Sequence, residues 1–126
     1  MKTYNEIKLA QELIRFPTIK TEDKGIMKFL SKKLSAIGFN CRIIKSKGTG
    51  LKPALNLYAR LGRKKPHVSY LGHTDVVANL ENWSVPPFKG KIKNGEIISR
   101  GIADMKGSIA CWISATNNFI KNKKFN

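Results

Sequence analysis

His73 and Asp75 stand two apart, directly after the apolar run 68–72, and Asp104 follows beyond a second, Gly-containing turn. On extended chain, residues two apart point the same way. The Asp75 carboxylate can therefore sit beside the His73 imidazole and accept a hydrogen bond from one ring nitrogen. Metal-ligating histidines are held in one tautomer and orientation by such a partner. The same pair also occurs as a plain hydrogen-bonded turn, because one His and two Asp are common in any chain. Asp104, between a turn and the start of an amphipathic helix, is placed to bring an oxygen ligand to His73 on a hard or borderline ion such as zinc.

The elements that must position these groups follow from periodicity. Residues 3–16 carry Tyr4, Ile7, Ala10, Leu13 and Ile14 at helical spacing, and Pro17 ends that helix because the residue before proline is pushed toward extended conformation. A second helix is expected over 22–37, with Ile26, Met27, Leu30, Leu34 and Ile37 on one stripe and Gly38 as its left-handed stop. The lysines and glutamates of both helices read as solvated faces. Residues 40–44 and 55–61 read as strands; in the second, Leu55, Leu57, Ala59 and Leu61 alternate with Asn56, Tyr58 and Arg60. The Gly- and Lys-rich stretch 45–53 is a loop, and 62–66 a basic turn. Residues 68–72 are expected as a third strand, buried on both sides. His73 would then stand at its carboxyl end, where ligands collect in open α/β sheets. His67, at the entrance to that strand, reads as structural.

Residues 76–88 are irregular, and Trp83 and Phe88 read as ordinary core in preference to a plug under the metal loop. Asn94-Gly95, between 91–93 and 96–99, is a strong signal for a two-residue type I′ hairpin turn. That hairpin delivers Arg100 and Gly101 to the loop holding Asp104. Ile109, Trp112, Ile113, Thr116 and Ile120 then place a third helix over 106–121, its lysine-rich end suiting the negative end of the helix dipole. Two helices followed by strands and then another helix fit an α/β class, a layered sheet with flanking helices.

The chain of 126 residues suffices for one small domain with a core. With 24 Lys and Arg against 8 Asp and Glu it carries a net charge of +16, which raises the question of nucleic acid. The lysines are scattered, with only short clusters such as 63–65 and 121–124, and no aromatic–basic interleaving that would stack bases. Solvated lysines and a small-molecule partner are the expectation, with no nucleic acid. Cys41 and Cys111 fall in different elements among apolar residues and read as small buried thiols, not a disulfide. No apolar run approaches a membrane span or a signal sequence, so a cytoplasmic protein with no membrane partner is expected.

The segment Gly72-His73-Thr74-Asp75-Val76-Val77, followed by Trp83, Pro87-Phe88, Asn94-Gly95 and Arg100-Gly101-Ile102-Ala103-Asp104-Met105-Lys106-Gly107, resembles the co-catalytic zinc aminoacylases and carboxypeptidases. The resemblance begins at Leu13-Ile14-Arg15-Phe16-Pro17-Thr18 and covers essentially the whole chain. It implies a zinc-peptidase-like catalytic domain, of which residues 1–126 would be the amino-terminal part. The rest of that domain and a lid or dimerisation domain would lie outside. It implies two zinc ions per whole chain, with cobalt as a possible substitute. His73 would be a terminal ligand of one ion, Asp104 the carboxylate bridging both, and Asp75 the catalytic-site carboxylate that orients His73.

The implied reaction is hydrolysis of an N-acyl amide of an amino acid, by a protein that is a homodimer when whole. Asn56-Leu57-Tyr58-Ala59-Arg60, Val76-Val77 and the placement of Arg100-Gly101 favour N-succinyl-LL-2,6-diaminopimelate as substrate over N-acetylornithine and other acyl or peptide substrates. The general base and the remaining ligands have no counterpart in residues 1–126, so this piece alone is expected to be inactive. A non-catalytic binding remnant is the alternative of another class. The resemblance further implies a cis peptide after Asp104 in the metal-loaded whole protein, with the shorter chain free to relax to trans.

Overall fold

The computed structural model describes residues 4–20, 22–47, 53–78 and 81–122. The start of the first expected helix at Thr3, most of the Gly- and Lys-rich loop and the lysine-rich end at 123–124 lie outside the described residues.

Helix α1, Glu6–Ile14, begins where the Asn5 side chain accepts a hydrogen bond from the Lys8 amide at 2.9 Å. That bond satisfies one of the amides a helix start leaves open. Helix α2, Ile26–Ser35, starts later than its periodicity suggests. Asp23 accepts from the amides of both Gly25 and Met27, and Gly25 takes φ 91°. The chain before Ile26 is thus held in a turn, and the expected start at Glu22 is corrected. Gly38, at φ 100°, stops the helix as expected.

Strands β1, Asn40–Lys45, and β2, Leu55–Arg60, pair antiparallel from Asn40 with Arg60 to Lys45 with Leu55. In β2 the predicted alternation holds: Leu55, Leu57 and Ala59 are half-buried while Asn56, Tyr58 and Arg60 are exposed. A second antiparallel pair, β3 Lys91–Lys93 and β4 Glu96–Ile98, is joined at Asn94 and Gly95. Both turn residues have positive φ, 51° and 80°, as a type I′ turn requires. Helix α3, Gly107–Asn122, closes the chain.

The core lies between the three helices. Leu9 and Leu13 of α1, Ile26, Leu30 and Leu34 of α2, and Ile109 and Ile113 of α3 form one buried cluster. Leu57, Ala59 and Cys41 lean on it from the β1–β2 pair. The result is a mixed α/β arrangement of helices over small sheets, with no described helix long and apolar enough to cross a membrane.

Three expectations are corrected. Residues 68–72 form no strand and pair with none among the described residues, and Val68 and Leu71 are each 94% exposed. An apolar run signals a strand whose faces need covering, yet it cannot supply the neighbours. A groove of about 560 Å³ lies along this segment, with Leu57 of β2 and Tyr70 among its walls. What does hold the segment is Tyr70, stacked on Trp112 at 4.9 Å and hydrogen-bonded to Ser108 Oγ at 2.9 Å. The cysteines are not buried thiols either: Cys41 is half-buried and Cys111, on α3, is exposed. Trp83 and Phe88 are half-buried, and the buried core cluster includes neither. His67 meets Arg60 Nη2 at 2.9 Å on the surface, away from the other histidine's partners.

Candidate metal centre

The residues on either side of Asp75 are held by the turn that leaves α1. The Val76 amide donates to the Thr18 carbonyl at 2.9 Å, and the Lys20 amide to the Val76 carbonyl at 3.2 Å. These bonds make a short parallel bridge between Ile19 and Val76. Thr18, almost wholly buried, also donates through Oγ1 to the Thr74 carbonyl. Thr74 and Val76 therefore point inward, and the alternation of extended chain sends His73 and Asp75 outward together.

The second half of the site arrives from the β3–β4 hairpin. The Arg100 amide and the Ser99 hydroxyl both donate to the Pro87 carbonyl, and the Arg100 guanidinium lies 4.9 Å from the centre of the Trp83 ring. Gly101, at φ 82°, then turns the chain. A Cβ there would come within 2.5 Å of Val76 Cγ1, so the close approach of the two segments needs glycine. A wide turn, Ile102–Lys106, follows, with Asp104 in extended backbone, Met105 at φ −139° and ψ 30°, and the Asp104–Met105 peptide cis.

These two segments bring the expected residues together. His73 Nε2 lies 2.9 Å from Asp104 Oδ1, and His73 Nδ1 lies 3.2 Å from Asp75 Oδ1. The His73 amide also approaches Met105 Sδ at 3.5 Å. One carboxylate faces each ring nitrogen, so both contacts need a positive species at each nitrogen. A proton on Nδ1 serves Asp75. At Nε2 either a second proton or a metal ion serves Asp104. An imidazole nitrogen and a carboxylate oxygen suit zinc or a similar borderline ion. Among the described residues no group of three or more His, Cys, Asp or Glu side chains converges on one point. His73 and Asp104 thus fit part of a tetrahedral shell. The site is open: the His73 and Asp104 side chains are 48% and 83% exposed.

A cavity of about 490 Å³ adjoins it, walled by His73, Asp75, Val77, Trp83, Arg100 and Asp104. Trp83 is therefore a wall of the candidate site, which its reading as ordinary core missed. Lys106 was missed more completely. It is fully buried, 0% exposed, against the expectation that lysines of this chain are solvated. Its Nζ donates to the Phe16 carbonyl at 2.7 Å. Burial pushes its amine down from 10.5 to about 8, opposed by the negative charge of Asp75. The available signal was position: Lys106 lies between Gly101 and Gly107, in the turn that must carry Asp104 into the site.

Known proteins bear on this geometry. Residues 70–126, which include His73, Asp75 and Asp104, match the sequence model of peptidase family M20/M25/M40. The whole chain is 52% identical to succinyl-diaminopimelate desuccinylase of Pelagibacter ubique, covering 34% of that protein. It is 41% identical, over 93% of its length, to the protein of the same name from Ehrlichia canis, covering 31% of it. The chain thus spans about a third of the length of these curated relatives. In fold it is similar to an M20 family metallo-carboxypeptidase from Sulfolobus solfataricus, with a TM-score of 0.70 at 20% identity, covering 97% of this chain and 28% of that one. Sequence relatives along the entire chain and the match over 70–126 thus make this chain similar to members of peptidase family M20/M25/M40, and its fold is similar to that of one such enzyme.

Proposed function

We propose that the chain is the amino-terminal part of the catalytic domain of a zinc-dependent amidohydrolase. The whole protein would cleave N-succinyl-LL-2,6-diaminopimelate to succinate and LL-diaminopimelate, a step toward lysine and cell-wall precursors. The observation that carries this reading is the His73 ring held between Asp75 and Asp104. The name shared by the sequence relatives supports the substrate. Acetylornithine and other acyl or peptide substrates remain the alternatives within the family.

In this reading His73 binds one ion through Nε2. Asp75 accepts the Nδ1 proton, which fixes the ring's tautomer and raises its basicity as a ligand. Asp104 offers two carboxylate oxygens and so can serve two ions at once. Bound there, a zinc pair, or cobalt in its place, supplies the charge that makes water nucleophilic near neutral pH and polarises the amide carbonyl. Trp83 and Arg100 wall the cavity beside these ligands and limit what enters it.

The partner is a small N-acylated amino acid and not a nucleic acid, and the whole protein is a homodimer. The unpaired cysteines suit a reducing compartment, the cytoplasm. The test is succinate release from N-succinyl-LL-diaminopimelate by the zinc-loaded whole protein. Activity that survives His73→Ala, or turnover of N-acetylornithine in preference, would remove the metal role or the substrate respectively.

A further inference from the structure

The two halves of the site are far apart in sequence, and their direct contact is between exposed side chains, which hold each other weakly. Something else must set their spacing. The turn after α1 touches both halves through buried bonds. On one side Thr18 Oγ1 donates to the Thr74 carbonyl, and the Thr18 carbonyl accepts from the Val76 amide, bracketing Asp75. On the other side the Phe16 carbonyl accepts from Lys106 Nζ, two residues past Asp104. Thr18 is 1% and Lys106 0% exposed, so neither bond has water to replace it. The wide turn is itself closed by the Lys106 amide donating to the Gly101 carbonyl at 2.9 Å, so a shift of Lys106 carries Asp104 with it.

We infer that Thr18 and Lys106 are positioning residues, which lock the His73–Asp75 segment and the Asp104 turn to one shared anchor, the Phe16–Thr18 turn, and so set the His73–Asp104 distance. The inference rests on the metal reading only for its consequence: ligands spaced by a third segment bind an ion without first paying to order two loops. Neither residue touches substrate or metal in this account. The Phe16-Pro17-Thr18 stretch, remote in sequence from both ligands, thereby gains a role in the site.

The test uses the chain as it stands. The contact is read by nuclear Overhauser effects between the His73 ring and the Asp104 methylene. The zinc affinity is read by titrating zinc against the His73 ring resonances, and folding by circular dichroism melts. Thr18→Val and Lys106→Met should retain the helical core, weaken the His73–Asp104 effect and lower zinc affinity by about tenfold or more. Thr18→Ser, which keeps the hydroxyl, should restore both. Lys106→Met reads the second tie independently if Thr18→Val does not fold. Folded variants that keep the wild-type His73–Asp104 effect would overturn the positioning role, whatever zinc does. A His73 ring unmoved by zinc in the whole protein, with the contact still lost in the variants, would instead sink the metal reading and leave the positioning role standing.

Discussion

The Nε2 atom of His73 lies 2.9 Å from Oδ1 of Asp104, a residue 31 positions further along the chain. Two loops meet at that distance: one is pinned by Thr18, the other is delivered by the β3–β4 hairpin and tied through Lys106 to Phe16. A cation at Nε2 satisfies both groups, and the same geometry serves a proton or a metal.

Replacing His73 with Ala should remove one metal site and most of the hydrolytic activity of the whole protein. Residues 1–126 alone should bind zinc weakly, because two ligands are about half of a tetrahedral shell. Calorimetry against a chelator checks both statements. Tight binding of two zincs by this chain alone would refute the assignment of Asp104 as a bridge completed elsewhere.

Asp75→Asn keeps the shape of the side chain but weakens the acceptor for the His73 Nδ1 proton. Metal affinity or turnover should fall by about ten- to a hundred-fold. Wild-type behaviour would return Asp75 to the status of a turn residue.

Lys106 gives the folded state an unusual dependence on alkaline pH. Its folded pKa is lowered to about 8 from 10.5. Below about pH 8 the amine is charged in both states, and the folded protein bears the full cost of burying it. From there to about 10.5 the unfolded chain holds more protons, so this residue's contribution to stability rises with pH. The rise amounts to an upper bound of about 3 kcal/mol. Urea melts of wild type and Lys106→Met across this range isolate it. Parallel curves for the two proteins would contradict a buried, depressed amine.

Gly101→Ala should destabilise the chain by more than about 1 kcal/mol, because alanine resists a φ of 82° and its Cβ would meet Val76. The loss should appear in thermal melts and, with Val76 displaced, in the zinc affinity at nearby His73. Gly95→Ala makes a useful contrast: it shares the positive φ but has no atom within 4 Å of the added group. It should therefore be milder.

Local signals carried most of the elements. Pro17, Gly38 and Asn94-Gly95 act within a few residues of themselves, and each ends or turns the chain where expected. The stripe of α3 and the alternation of β2 likewise report faces that the fold does bury. His73, Asp75 and Asp104 were legible as candidates because ligand chemistry restricts which residue types can serve. Their contact distances and the anchoring by Thr18 were not, since nothing in a sequence links residue 18 to residue 74. Lys106 shows the same limit. A lysine in a basic chain reads as solvent-facing, and only the packing of α1 against the turn reveals a buried one. Residues 68–72 failed in the opposite sense. Their composition announces a central strand, but pairing belongs to neighbours, and the described residues contain none.

That bare segment makes concentration a structural variable for this chain. Among the described residues no strand pairs with 68–72, and Val68 and Leu71 stand in water. An unprotected extended segment is a template for any other strand it meets, including the same segment of a second molecule. Copies of this chain crowded together would therefore compete for it, and their self-association should rise with concentration.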